Sequence, residues 1–418
     1  MEAYIVEWLN LLGRWVHMIT GIAWIGASFY FVWLDNHLHA PKDPADAEKG
    51  IGGEVWSLHG GGFYHAQKYK VAPAKLPEVL HWFKWEAYTT WMTGMFMLAL
   101  IYWYSAEIYL IDPGVADISK SFAVLMGILT LVTGWLVYDY LCKSPLGQDD
   151  KKLGAAIFVF VTIMAFILTH LFSGRGAFIH FGAMLGTIMA ANVYFIIMPG
   201  QQKMVEAAAI GELPDPKAAM NAKQRSVHNT YFTLPVLFTM ISNHYAMTYS
   251  SSWNWLVLIL ISIAGALIRI YFVKRHFGEP SKTPLYIAGA IFLAIIIAMA
   301  PSPAPKPTAD ATAPVTNTAA APVNTAAQGT YSPTFLAVQG IMQARCTSCH
   351  AAQPTQAGFS APPKGVVFDT PRDIVIQATQ IHQQTVATKA MPIGNLTKMT
   401  DEERAVIAQW YQSGAQEK

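Results

Sequence analysis

Charge is what this chain has least of. Only 13% of its 418 residues are Asp, Glu, Lys or Arg, against about 25% in an ordinary soluble protein. That shortage excludes a single water-soluble globule, and no nucleic-acid partner is expected. Cysteine is scarce too. Three residues cannot build a disulfide framework. A secretory leader is also expected to be absent: Glu2 and Glu7 precede the first apolar run, where a signal peptide carries basic residues. That run should therefore remain in the protein. No internal repeat is evident.

What is present is hydrophobic. Apolar residues make up 53% of the chain and the mean hydropathy is +0.31. Thirteen Trp and eighteen Tyr suit the aromatic belts of a bilayer. Runs long enough to cross ~30 Å of hydrocarbon fall near 9–34, 86–106, 120–141, 153–173, 177–198, 227–249, 253–273 and 284–300. Gly182 and Gly186, four apart, would let helices approach closely. The expected partner of this part of the chain is a lipid bilayer.

Near the C-terminus stands Cys346-Thr347-Ser348-Cys349-His350, the attachment pattern of a c-type haem. Two thiols must reach the two vinyl groups of one porphyrin, and the next residue must place an imidazole on the iron. A zinc half-site would need two further ligands, and no other cysteine lies nearby. A redox Cys-x-x-Cys pair is the other plain reading. Met391-Pro392, in a Gly- and Pro-containing stretch before the last helix, is the preferred second axial ligand, because a thioether raises the haem potential. His382 and Met399 are the alternatives, and core packing is the plain reading of Met391.

The expected organisation follows. Residues 1–300 form an all-α, polytopic membrane domain of about eight transmembrane helices, and 301–333 form a Pro/Ala/Thr-rich linker. Residues 334–418 form a small α-helical class I cytochrome c domain. Within it Phe335, Val338, Ile341 and Met342 make a helical stripe, and Thr400 with Glu403 makes a capping box. Covalent haem is attached outside the cytoplasm, so eight spans put both termini outside. The odd-numbered connections then hold sixteen Lys and Arg and the even-numbered ones hold Lys120 and Arg175, as the positive-inside rule requires. Two connections stand out. Residues 50–72 carry two aromatic and β-branched runs around Gly60-Gly61-Gly62, which predicts a hairpin. Residues 200–225 read as a short surface helix interrupted at Pro214 and Pro216.

Ionisable residues inside spans are expensive and mark candidate sites. Toward the outer side lie Arg14, His17, His170, Arg175, His180, Asn243 and His244. Two readings of this set stay open. It holds a b-type haem between helices, or its arginines and amides hold an anionic substrate while a histidine moves protons. The plain reading of any single member is an imidazole satisfied by a backbone carbonyl. For catalysis the candidates are His17, His244 and Arg14; for substrate binding they are Arg175, His180 and Asn243. Toward the inner side lie Asp35, Glu86, Asp139, His228 and Arg269, nearer the water boundary.

Four segments carry a family resemblance. They are Trp15-Val16-His17-Met18-Ile19-Thr20-Gly21-Ile22-Ala23-Trp24-Ile25-Gly26, then Gly53-Glu54-Val55-Trp56-Ser57-Leu58-His59-Gly60-Gly61-Gly62-Phe63-Tyr64, then Trp82-Phe83-Lys84-Trp85-Glu86, and the Cys346–His350 segment with Met391-Pro392. With these the chain resembles the integral-membrane urate oxidases that end in a cytochrome c domain. The resemblance implies oxidation of urate to 5-hydroxyisourate in purine catabolism at the bacterial inner membrane, with a periplasmic cytochrome domain. Electrons would leave through haem c to a cytochrome or terminal oxidase rather than to hydrogen peroxide. The first segment also resembles small membrane proteins that hold haem b through a first-helix histidine, which here is His17. The rival classes are a quinol or other small-substrate dehydrogenase with a tethered cytochrome, and a transporter or anchor carrying an electron shuttle.

Overall fold

The computed structural model describes residues 2–249, 251–276, 281–300 and 331–418, apart from 358, 360, 361, 364 and 365. Residues 301–330 of the expected linker lie outside the described residues. The N-terminal part is built from α1 (Glu2–Asn36), the strands β1 (Ile51–His59) and β2 (Gly62–Tyr69), then α2 (Trp85–Met97), α3 (Lys120–Lys143), α4 (Asp150–Thr169), α5 (Gly174–Ala191), α6 (Pro216–Ser242), α7 (Asn254–His276) and α8 (Thr283–Ala298). The C-terminal part is held between α9 (Pro333–Arg345) and α10 (Asp401–Gln412).

Each apolar run predicted from hydropathy is helical, and side chains set where the helices begin. Ser119 accepts from the Phe122 N–H to open α3, Asp149 caps α4 and Ser173 caps α5 through Gly176. Asp215 caps α6, with Pro216 at a position that needs no N–H donor. Five helices among the described residues are long and apolar enough to cross a membrane: Tyr4–Asn36, Lys120–Lys143, Asp150–Thr169, Gly174–Ala209 and Asn254–Arg275. The other three runs fall short of that measure for visible reasons. The second is continued from α2 by a π-helical turn, Leu98–Trp103. The first part of α6 is polar, and α8 has only 16 residues.

The reading of 200–225 is corrected. Met198–Ala209 prolongs α5 past a second π-helical turn, Asn192–Ile197, and Pro216 starts α6. The prolines therefore separate two long helices, the end of one that continues α5 and the start of α6. Arg225 is corrected too: it is no cytoplasmic loop cation. It lies in α6, 3% exposed, and its guanidinium meets Asp139 at 2.7 Å. Asp139 also takes Lys143, while Asn192, Tyr138 and His228 continue the buried polar chain.

The hairpin is found as expected. Its strands pair antiparallel, with Trp56 opposite His65 and Leu58 opposite Phe63. Gly60 and Gly61 take positive φ at the turn, where glycine carries no steric penalty. Glu54 ties the base of β1: it accepts from the Lys42 backbone N–H at 3.1 Å and from His65 at 2.9 Å. Those two donors hold its carboxyl below the usual range.

At the centre of the helical body is α5, whose Phe178, Phe181, Met184 and Ile188 are fully buried. Small residues bring its neighbours close. A Cβ on Gly134 of α3 would collide with Met184, and one on Gly182 of α5 would collide with Thr239 of α6. Gly186 differs from the expectation, because nothing lies within 4 Å of its would-be Cβ. By contrast α1 is peripheral; it packs mainly on α2, with Gly13 against Phe96. In the C-terminal part, Phe335, Val338 and Met342 of α9 bury against Ile407 and Trp410 of α10. The Thr400–Glu403 capping box is present. Gly182→Ala should overpack the α5–α6 contact and cost about 1–3 kcal/mol, whereas Gly186→Ala should be neutral. Thermal unfolding in detergent checks the contrast.

Candidate active site between the two parts of the chain

The C-terminal part sits on one end of the helical body. Its 3₁₀ turn Ile393–Asn395 rests against the short helix Ala106–Tyr109, and a Cβ on Gly394 would come within 2.8 Å of the Ile111 carbonyl oxygen. Only a glycine allows that approach, and Gly394 also has positive φ. The surface it meets is made of the even-numbered connections. Ser173 fastens two of them by donating to the Tyr109 carbonyl, and its N–H reaches the Leu110 carbonyl.

Between the two parts lies a cavity of about 1100 Å³, larger than the ≈300–1,000 Å³ of common ligand pockets. Arg14, Tyr109, His170, Arg175, Asn243 and His244 line one wall, and Cys346, Cys349, His350 and Met391 line the other.

On the C-terminal wall, α9 runs directly into Cys346. No disulfide joins the three cysteines of the chain. Burial pushes the Cys346 thiol up to about 12 and raises Cys349 as well, opposite to what a reactive redox thiolate needs. Among the described residues no group of three or more His, Cys, Asp or Glu could hold a bare metal ion. The His350 Nδ1–H donates to the Val366 carbonyl at 3.0 Å. That bond fixes the ring and leaves Nε2 with its lone pair, the arrangement typical of a ligating imidazole. With Met391 on the same cavity, the residues present fit a c-type haem by the chemistry of their donors. Of the two alternative ligands, His382 stacks on Tyr411 at 4.3 Å and Met399 is buried in the domain core. Neither lines the cavity.

On the opposite wall the two arginines come from different helices and are held by neutral partners. Arg14 Nε donates to Asn10 Oδ1 at 2.6 Å. Arg175 Nε donates to the Tyr102 hydroxyl at 3.1 Å, and its guanidinium lies 4.8 Å from the Tyr109 ring. Neither forms an ion pair among the described residues. The buried Oδ1 of Asn243 has no hydrogen-bond partner. Ser173, Gly174 and Arg175 bring the N-terminus of α5 to the same cavity, adding the positive end of its dipole.

Two predicted residues stand apart. His17 donates through Nδ1 to the Thr90 carbonyl and meets Thr93 Oγ1, each at 3.0 Å, so it points into the α1–α2 contact. His180 is fully buried. Its Nδ1 donates to Gly176 O at 2.8 Å and its Nε2 accepts from Trp103 Nε1 at 3.1 Å. Both ring nitrogens are engaged, which leaves none for iron or substrate. Arg14, Arg175, Asn243 and His244 do converge. Tyr109 and Tyr249 join them without a sequence signal, since an aromatic at the end of a span looks like any belt residue. The π-helical turn that sets Tyr102 on Arg175 also has no sequence signature, although such turns cluster at functional sites.

Fold and cavity together define a class: a helical protein with membrane-spanning lengths of apolar helix, whose small C-terminal part closes a pocket that holds two arginines without an ion pair among the described residues. The chain belongs to the Urate oxidase N-terminal family, which it matches over residues 3–300. That match covers the whole helical body and supports a urate-related oxidoreductase. No curated protein and no solved structure matches the chain.

Gly394→Ala should lift the C-terminal part from Ala106–Tyr109 and raise hydrogen exchange across residues 106–112. Gly414→Ala strains a positive φ (99°) away from that contact, so it should leave the exchange unchanged.

Proposed function

We propose that this chain oxidises urate to 5-hydroxyisourate in the cavity between its two parts. Cys346, Cys349 and His350 would hold a haem c, with Met391 as the second axial ligand. The observation that carries the reading is the convergence on one cavity of two unpaired arginines and a Cys-x-x-Cys-His segment, in a chain of the Urate oxidase N-terminal family.

The chemistry balances with water alone as co-substrate. Urate monoanion and one water give 5-hydroxyisourate, one proton and two electrons. Arg14 and Arg175 hold the anion, helped by the α5 N-terminus. Tyr109 offers a ring face to the purine, and the unpartnered Asn243 Oδ1 takes one of its N–H groups. His244, on the same wall, receives the proton. A bound haem would supply a one-electron acceptor at the facing wall, so the electrons leave singly to a cytochrome or terminal oxidase and hydrogen peroxide is not made. Shared access to one cavity removes the need for a haem b relay. Iron analysis should therefore find one iron per chain and no haem b; two irons would contradict direct transfer.

The same reading takes all eight apolar helices as spans of the bacterial inner membrane, with the N-terminus and the cytochrome domain on the periplasmic side. In support, the cavity opens at the end of the body whose connections carry Lys120 and Arg175 and little other basic charge.

Replacing Arg175 or Arg14 by Gln removes a charged hydrogen bond worth ≈1.5–3 kcal/mol, so KM for urate should rise about 10–100-fold while kcat changes little. Steady-state kinetics with an artificial electron acceptor provides the check. Unchanged KM in both variants would remove the cavity from the account.

A further inference from the structure

Arg404 of α10 is 7% exposed, and burying a cation demands compensation. Its nearest carboxylates on the same helix are already committed, Glu403 to Arg345 at 3.0 Å and Asp401 to Lys389 at 2.8 Å. Arg404 instead gives its Nη1 to two backbone carbonyls, Met391 at 2.9 Å and Thr385. Those carbonyls bracket the segment that ends in Met391. The segment starts within a π-helical turn, Gln383–Ala387, and contains Lys389 with φ of 49°. The Met391 N–H returns a bond to the Gln384 carbonyl at 2.9 Å. A single buried side chain on the last helix thus pins both ends of an irregular segment that regular secondary structure cannot hold.

We propose that Arg404 is the positioning residue for Met391. It holds the thioether on the cavity wall that His350 shares, and its buried positive charge favours the reduced, less positive state of the iron. This rests on the haem c ligation proposed above. It does not depend on urate being the substrate.

The test uses the full-length holoprotein. Loss of a charged hydrogen bond to buried carbonyls is worth ≈1.5–3 kcal/mol. In Arg404→Gln, exogenous imidazole should therefore displace the methionine about 10–100-fold more readily. The methionine-to-iron charge-transfer band should weaken and the midpoint potential should fall, with the haem still covalently attached. Arg404→Lys keeps the charge and loses the paired carbonyl contacts. It should show the easier imidazole exchange with a smaller fall in potential, and it guards against a Gln variant that does not fold. If either variant lowers only the thermal stability, with imidazole affinity and potential both unchanged, Arg404 is merely structural and the proposal is overturned. Met391→Ala separates the two layers. A charge-transfer band that survives that substitution would remove Met391 as ligand, and the role of Arg404 with it.

Discussion

The approach of Gly394 to the Ile111 carbonyl is the contact on which the rest of the site depends. It sets the C-terminal part against the even-numbered connections and makes one cavity from two half-sites. Neither half is chemically complete. The helical wall has cations, two tyrosines and an unpartnered amide oxygen. The opposite wall has the haem-binding pattern, and its cations Arg345 and Lys389 are already paired with Glu403 and Asp401. Glycine at position 394 lets backbone meet backbone, so the two walls face each other without an intervening layer of side chains.

The helical wall is stiff because its charged members are restrained by neutral groups. Tyr102 and Tyr109 hold Arg175, Asn10 holds Arg14, and Ser173 ties the turn before α5 to the Tyr109–Leu110 backbone. A carboxylate partner would have cancelled the positive potential, whereas hydroxyls and aromatic faces leave it intact. On the facing wall the restraint comes from the backbone, through Val366 for His350 and through Arg404 for Met391. Preorganisation of this kind lowers the cost of fixing a substrate beside an acceptor.

Much of the fold was legible in the sequence because long apolar runs have a helical length and composition that hydropathy reads directly. All eight apolar runs are helices, and the glycine cluster at 60–62 does make a hairpin turn. The convergence of Arg14, Arg175, Asn243 and His244 also followed from depth alone, since residues near the same end of several spans share a plane. What depth cannot supply is direction around the helix. His17 and His180 lie at suitable heights but face packed helices, and hydropathy carries no information about that rotation. Arg225 misled for the related reason that a charged residue beside a span reads as a loop cation until its buried partner Asp139 is seen. The π-helical turns that rotate Tyr102 and Asn192 into place arise from tertiary packing and leave no local pattern.

The central claim is that urate is oxidised within direct reach of the haem c. Anaerobic titration of the purified, oxidised protein with urate tests it most directly, with the haem spectrum followed throughout. Each urate yields two electrons and each chain would store one, so full reduction is expected at half an equivalent of urate per haem. Reduction should fail at the same urate concentration when both Arg14 and Arg175 are replaced by Gln. A c-type haem that urate leaves oxidised, in protein shown to bind urate, would contradict the account.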